Sequence, residues 1–348
     1  MVLKIFLLIN MEHMMRKVLF IVKNPTEASS RFRVFAFYER LKKEFYVDTF
    51  YAEYHNKKIP KIFRSLIKRF RFLYLLWIAK QYDVLYMQRP MSSDKSNSTL
   101  FESMLVKINP NLIFDYDDAL FIQNETKMRS LVSLAHTCVC GNSYLEAFAK
   151  KYNHNTLVIP TVIDTDRYQS SKNNKESTIT VGWTGTSGNY QFFTQKMIDD
   201  IQIILNENSH VEFLFICDNP PPKKFNFSYQ FIKWTAANEI QDLQMIDIGL
   251  MPLIDSPWSR GKCGFKLIQY ASIGIASIAS NVGVNNEVII DKKSGILVKN
   301  DQWKEAIQKL IDDRVLATEM GEQAKQHIFK NYSVTASYPL LSKLLKNI

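Results

Sequence analysis

The chain contains no long hydrophobic run. Val2 to Ile9 and Val18 to Val22 are apolar, but neither approaches the roughly 20 residues that a membrane-spanning helix needs. No small-residue cleavage site follows the first run, so it does not read as a secretory signal, and Met14 and Met15 before Arg16 lead to the expectation that residues 1–15 are a dispensable extension. Cysteine is scarce. The four present, Cys138, Cys140, Cys217 and Cys263, have the spacing of neither a zinc site nor a small disulfide framework, which fits a reducing cytoplasm. No short-period repeat, low-complexity segment or Walker sequence occurs. No complete glycine fingerprint follows the first apolar strand either, which argues against a dinucleotide oxidoreductase.

Acidic residues are missing altogether from one stretch. Between His55 and Lys80 stand Lys57, Lys58, Lys61, Arg64, Lys68, Arg69 and Arg71 with no Asp or Glu, and this local excess belongs to a chain of net charge +10. Phe63, Phe70 and Trp77 recur every seven residues among further apolar positions, the spacing of an amphipathic helix. Two readings stay open. One is a core helix with a solvated charged face. The other is a helix that meets an anionic membrane surface through Lys57, Lys58, Lys68, Arg69, Arg71 and Trp77.

At 348 residues and 46% apolar, the chain is long enough for two domains. Short apolar runs at Val18–Val22, Val84–Met87, Leu112–Phe114 and Thr137–Cys140 alternate with helical periodicity. After a polar stretch the alternation restarts, with strands expected at Ile179–Trp183, Val211–Cys217, Tyr229–Trp234, Ile248–Pro252 and Ala276–Ser280. Alternation of this kind predicts parallel sheets with crossover helices, hence two doubly wound α/β domains facing each other across a cleft. Their expected bounds are residues 1–163 and 178–325, joined by a linker over 164–177. A helical segment, 326–348, is expected to pack back on the first domain.

Several groups suit anion or sugar chemistry. Gly185, Thr186 and Ser187 lie in a glycine loop directly after the strand opening the second domain, where free amides attract phosphate. Arg260, Lys262 and Lys266 surround a second glycine loop that enters a helix at Gly264 and Phe265, a combination that can hold a diphosphate by charge and amide together. In the first domain Ser30, Arg31 and Arg33 follow the first strand, where either arginine can bind phosphate or pair on the surface. Asp115, Asp117 and Asp118 end a later strand together, an arrangement that needs cations or hydroxyls to offset repulsion. A magnesium ion is one such partner.

Lys262 to Ala271, Gly274, Ala279 to Asn285 and Glu287 resemble the donor-binding region of GT4-type retaining glycosyltransferases, which have the GT-B fold. Asp247 to Leu253 and Ser294 to Val298 are similar to the family's flanking strands. Phe114 to Ala119 and Cys140 to Leu145 resemble its acceptor-side landmarks. Typical members carry two glutamates eight positions apart; here Gly261 and Gln269 stand in their places, so the resemblance is to a branch without them. The family implies donor contacts from Gln269 and Glu287, catalytic roles for Asp117 and Asp118, an acceptor-side role for Asp115, no metal and no cofactor. It also implies transfer from a UDP- or GDP-sugar to a hydroxyl of a lipid-linked or polysaccharide acceptor, in cell-surface glycan biosynthesis. A cytoplasmic protein peripheral at the inner face of the membrane, with no nucleic-acid partner, fits that role. The alternatives are a GT-B sugar-nucleotide epimerase and a non-enzymatic basic nucleic-acid-binding module.

Overall fold

The computed structural model describes residues 15–53, 61–91, 96–169, 178–299 and 302–348. The chain divides into two compact units, Met1–Thr161 with Ser337–Ile348, and Val162–Ala336.

The first unit is built on strands β1 (Lys17–Val22), β2 (Tyr46–Tyr51), β3 (Val84–Gln88), β4 (Leu112–Tyr116), β5 (Thr137–Cys140) and β6 (Thr156–Val158), in the order β2-β1-β3-β4-β5-β6. Every pairing is parallel, with Phe20 opposite Thr49 on one side and Tyr86 on the other. β1, β3, β4 and β5 are apolar along nearly their whole length because helices cover both faces. Those helices include α1 (Ala28–Arg33), α2 (Lys61–Ala79), α3 (Leu100–Ile108), α4 (Glu125–Leu134) and α5 (Ser143–Ala149). Asn124 and Asn142 start the last two by accepting from the Lys127 and Leu145 amides. The helical stretch expected through Phe35, Leu41 and Phe45 is broken: Val34 leaves the helical basin, short turns follow, and β2 comes next. Only Phe50 of β2 is buried.

The second unit contains β7 (Ile179–Gly185), β8 (Val211–Cys217), β9 (Gln230–Lys233), β10 (Ile248–Met251), β11 (Ala276–Ser280) and β12 (Ile296–Val298), ordered β12-β11-β10-β7-β8-β9 and again all parallel. Helices α6 (Gln195–Glu207), α7 (Phe265–Ser272), α8 (Trp303–Asp312) and α9 (Arg314–Asn331) pack on it. Trp183 sits in an aromatic core, its ring 5.1 Å from that of Tyr190 and 5.6 Å from that of Phe193.

Two segments differ from expectation. Of the stretch read as a linker, 164–169 is packed: Tyr168 is fully buried and its hydroxyl bonds Glu239. Residues 170–177 lie outside the described residues. At the C-terminus the division falls inside α10 (Val334–Asn347), and Ser337 onward belongs to the first unit. There the Tyr338 hydroxyl donates to Glu44 Oε1 at 2.7 Å, Ser342 donates to Oε2 at 3.0 Å, and Lys346 pairs with the same carboxylate.

Candidate functional site

In the second unit the two glycine loops meet. Gly264 caps α7 with a left-handed backbone, φ 64°, and a β-carbon there would come within 3.0 Å of Val284 Cγ1. The helix is fixed to the sheet by Tyr270, whose hydroxyl accepts from the Thr184 amide at 2.9 Å and donates to the Leu250 carbonyl at 3.4 Å. Its ring fills the space left by Gly249, where a β-carbon would stand 2.6 Å away. This clamp sets Lys266 over the end of β7. The Lys266 ammonium lies 5.5 Å from the centre of the Trp183 ring, and its Cε would be 2.6 Å from a β-carbon at Gly185. Lys262, one turn earlier, lies 4.7 Å over Trp258. Two ammonium groups on tryptophan faces therefore flank the start of α7, beside partly exposed backbone at Gly185.

Two expected donor contacts are redirected. Arg260 gives both Nε and Nη2 to Asp255, at 2.7 and 2.8 Å, with both side chains about half exposed. Its charge is matched locally by an exposed carboxylate. Ser187 gives its amide to Asp218 Oδ1 at 2.6 Å and its hydroxyl to Oδ2 at 3.0 Å, so the amide expected to take phosphate already holds a carboxylate. Partial burial opposes that charge, but the Ser187 bonds hold the Asp218 carboxyl below its ordinary pKa. Of the remaining positions, Thr186 and Glu287 are exposed, Phe265 is half-buried and Gln269 is buried within α7.

In the first unit the three aspartates diverge onto two guanidinium groups. Asp115 receives Nε of Arg33 at 2.9 and 3.0 Å, and Nη2 as well, while Nη1 donates to the Ile159 carbonyl at 3.0 Å; both side chains are at most 2% exposed. Burial opposes both charges. It raises the Asp115 carboxyl, while the neighbouring carboxylate holds Arg33 above its ordinary value. Losing one partner of such a buried pair costs about 3–5 kcal/mol. Arg33 and Asp115 are therefore a structural tie, and the ligand-binding role expected of them is corrected accordingly. Ser30 is likewise fully buried, whereas Arg31 is half-buried with its guanidinium 4.6 Å over Phe32.

Asp117 and Asp118 are held by Arg89, a residue that the motifs did not reveal. Its Nε donates to Asp117 at 2.9 Å, Nη2 reaches Asp118, and Nη1 lies 3.6 Å from Glu27. The backbone of Arg89 is left-handed, φ 66°, which costs a side-chain-bearing residue about 1–2 kcal/mol. Strain at a strand end, retained for a charge network, is a mark of functional sites. Gln88 beside it is 1% exposed, and both polar atoms of its amide lack hydrogen-bond partners among the described residues.

Of the expected membrane contacts, Lys57 and Lys58 lie outside the described residues. Lys68 and Arg69 are exposed, and Trp77 is 58% exposed. Arg71 is corrected: it turns inward, donating to the Tyr51 carbonyl with its guanidinium 5.0 Å over Phe50. Both readings of α2 account for part of it. Phe72, Leu75, Leu76, Ile78 and Ala79 are buried, with Phe72 4.3 Å from Phe101 of α3, yet Phe63, Leu66, Phe70, Leu73, Tyr74 and Trp77 are each 46–69% exposed. At about 100° per residue these six share an arc of roughly 100°, opposite the buried face. No helix among the described residues is long and apolar enough to cross a membrane.

Residues 179–313 match the family model described as glycosyl transferases group 1. Comparison with curated protein sequences finds no match. Among solved structures, HepE from Anabaena in complex with UDP and glucose aligns at a TM-score of 0.70 and 14% identity, over 96% of this chain and 100% of that one. Sucrose-phosphate synthase from Thermosynechococcus elongatus aligns at 0.69 and 12%, over 95% and 98%. The lipopolysaccharide outer core galactosyltransferase WaaB aligns at 0.62 and 14%, over 95% and 100%. By fold the chain is thus of the GT-B type, and over residues 179–313 it carries the sequence pattern of the group 1 glycosyl transferases.

Proposed function

We propose that this chain is a GT4-type glycosyltransferase that moves a sugar from a UDP- or GDP-linked donor to a hydroxyl of a lipid-linked or polysaccharide acceptor, retaining configuration and using no catalytic metal. The observation that carries the reading is the seat of Lys266 against Gly185 and Trp183, inside the segment that matches group 1 transferases. Ammonium groups fixed before the reaction begins stabilise charge as it develops on a leaving diphosphate, the task a metal ion performs elsewhere. HepE was crystallised with UDP and with UDP-glucose, so a uridine donor is the first to try. On the acceptor side Asp117 and Asp118, oriented by Arg89, accept from sugar hydroxyls. The exposed apolar face of α2, with Arg69 and Lys80 beside it, supports docking on an anionic membrane surface, where the enzyme would work as a cytoplasmic, peripheral protein in cell-surface glycan assembly.

A thermal-shift panel of nucleotide sugars tests the reading, because a ligand bound only by the native state raises the melting temperature. One donor is expected to stabilise the protein above the rest. A flat panel, together with salt-sensitive binding to nucleic acid, would reject the enzyme in favour of a binding module. Conversion of the free donor without acceptor would favour the epimerase.

A further inference from the structure

The first unit contains a cavity of about 420 Å³, the size of an ordinary small-molecule pocket, at the carboxyl ends of three adjacent parallel strands, β2, β1 and β3. Glu53, Lys23 and Arg89 follow those strands in turn, so the sheet order sets one carboxylate and two cations along a single rim. The rim is tied together. Lys23 lies 3.4 Å from Glu53 and 3.7 Å from Glu27, while Arg89 lies 3.6 Å from Glu27, bonds Asp117 and pairs with Asp118. Charge is thus balanced locally, yet the Glu53, Lys23 and Arg89 side chains keep 25, 39 and 20% of their surface exposed. Acceptors and donors stand side by side. A hydroxyl group, which both donates and accepts, matches such a rim, whereas an anion, which only accepts, matches half of it.

The opposite wall is apolar and comes largely from α2 and α3. Phe72 is buried, and its ring stands 4.3 Å from that of Phe101, which is 40% exposed and offers an open aromatic face. Arg71 adds wall rather than available charge, because its guanidinium lies over Phe50 and donates to the Tyr51 carbonyl. Lys68 completes the helix side and is exposed.

We propose that this cavity binds a pyranose of a saccharide acceptor, its ring laid on Phe101 and its hydroxyl groups on Glu53, Lys23 and Arg89. A pyranose has both surfaces that the cavity presents in complement. Its ring C–H groups form an apolar patch that gains by leaving water for an aromatic face, and its hydroxyl edge donates to the carboxylate while accepting from the two cations. The exposed apolar face of α2 lies on the other side of that helix and takes no part in this site. The inference rests on the transferase reading and names its acceptor as a saccharide.

Saturation-transfer NMR and calorimetry on the full chain test it. The probes are the methyl β-pyranosides of glucose, galactose, mannose and N-acetylglucosamine, with sorbitol as a polyol that has no ring and cyclohexylmethanol as a ring with one hydroxyl. At least one pyranoside is expected to bind more tightly than both controls, with transfer strongest at its ring C–H protons. Phe101→Ala should weaken it about tenfold by loss of the apolar face, and Phe101→Trp should preserve it. Glu53→Ala should weaken it about ten- to a hundredfold by loss of a charge-assisted contact. No binding by any of the four, equal binding of sorbitol, or wild-type affinity in Phe101→Ala overturns the proposal. So does inorganic phosphate binding more tightly than every pyranoside, which would assign the cavity to an anion through Lys68. UDP titrated into the same samples separates the two levels: intact UDP binding with no pyranoside binding defeats the saccharide site alone, and loss of both defeats the transferase reading.

Discussion

Arg89 holds Asp117 from a left-handed backbone, its φ at 66° and its Nε 2.9 Å from Oδ1. Conformational cost and ionic gain are thus stored in one residue, and substitution can separate them. Arg89→Ala keeps the strain and loses the pairing, whereas Arg89→Gly loses both, so the glycine variant should be the more stable by about 1–2 kcal/mol in denaturant. Equal midpoints would show that the backbone is not strained. Asp117→Asn can still accept from Arg89 but loses its charge. It is expected to slow transfer by about a hundredfold or more, in the range of lost acid–base or charge catalysis, while UDP affinity by calorimetry stays unchanged.

For the donor, the cation that matters is Lys266. Lys266→Ala should cost roughly 1.5–3 kcal/mol of nucleotide diphosphate affinity. Gly185→Ala should weaken binding in the same direction, because its new methyl would stand 2.6 Å from both Lys266 Cε and the Trp183 ring and so displace them. Arg260→Ala should do little, since that guanidinium is engaged by Asp255. A larger loss from Arg260 than from Lys266 in the same titration would reverse the assignment.

If α2 meets an anionic membrane, Phe70→Ser with Trp77→Ser should abolish sedimentation with phosphatidylglycerol vesicles while the melting temperature barely moves, because both side chains are already exposed. Wild-type binding should weaken as salt rises, the attraction being about 1 kcal/mol for each basic residue near the surface. Wild-type protein that ignores such vesicles at low salt would leave a soluble acceptor as the better choice.

The anchorage of α10 should depend on acid. The Lys346 ammonium and the Tyr338 hydroxyl hold the Glu44 carboxyl below its ordinary pKa. A carboxyl whose folded pKa is depressed adds stability that is present above the unfolded value and is lost as pH falls through the folded one. Amide exchange in α10 should therefore accelerate on acidification below the ordinary glutamate range. Glu44→Gln should exchange faster at neutral pH and show less of this acid dependence. An identical acid response in wild type and variant would exclude Glu44 as its source.

Much of the sheet scaffold is legible in the chain itself. β1, β3, β4, β5, β8, β10 and β11 are apolar runs because a parallel strand covered on both faces must be. β2 is not: only one of its six residues is buried, and no periodicity separates it from a loop. Gly264 and Lys266 were also readable, because a glycine turn entering a helix beside basic residues is a local pattern. Local sequence does not determine which charge meets which. Arg33 and Asp115 lie 82 residues apart, Arg89 and Asp117 28, Ser187 and Asp218 31; the last two pairs form where neighbouring strands end side by side, and the first joins the end of helix α1 to β4. Arg260 and Lys266 look equivalent in sequence; Asp255 neutralises one, and Trp183 with Tyr270 positions the other. Composition and periodicity determined the layers and the basic, apolar character of α2. Tertiary packing decided which partner each charge meets, because Coulomb and hydrogen-bond energies depend on distances that only the folded chain sets.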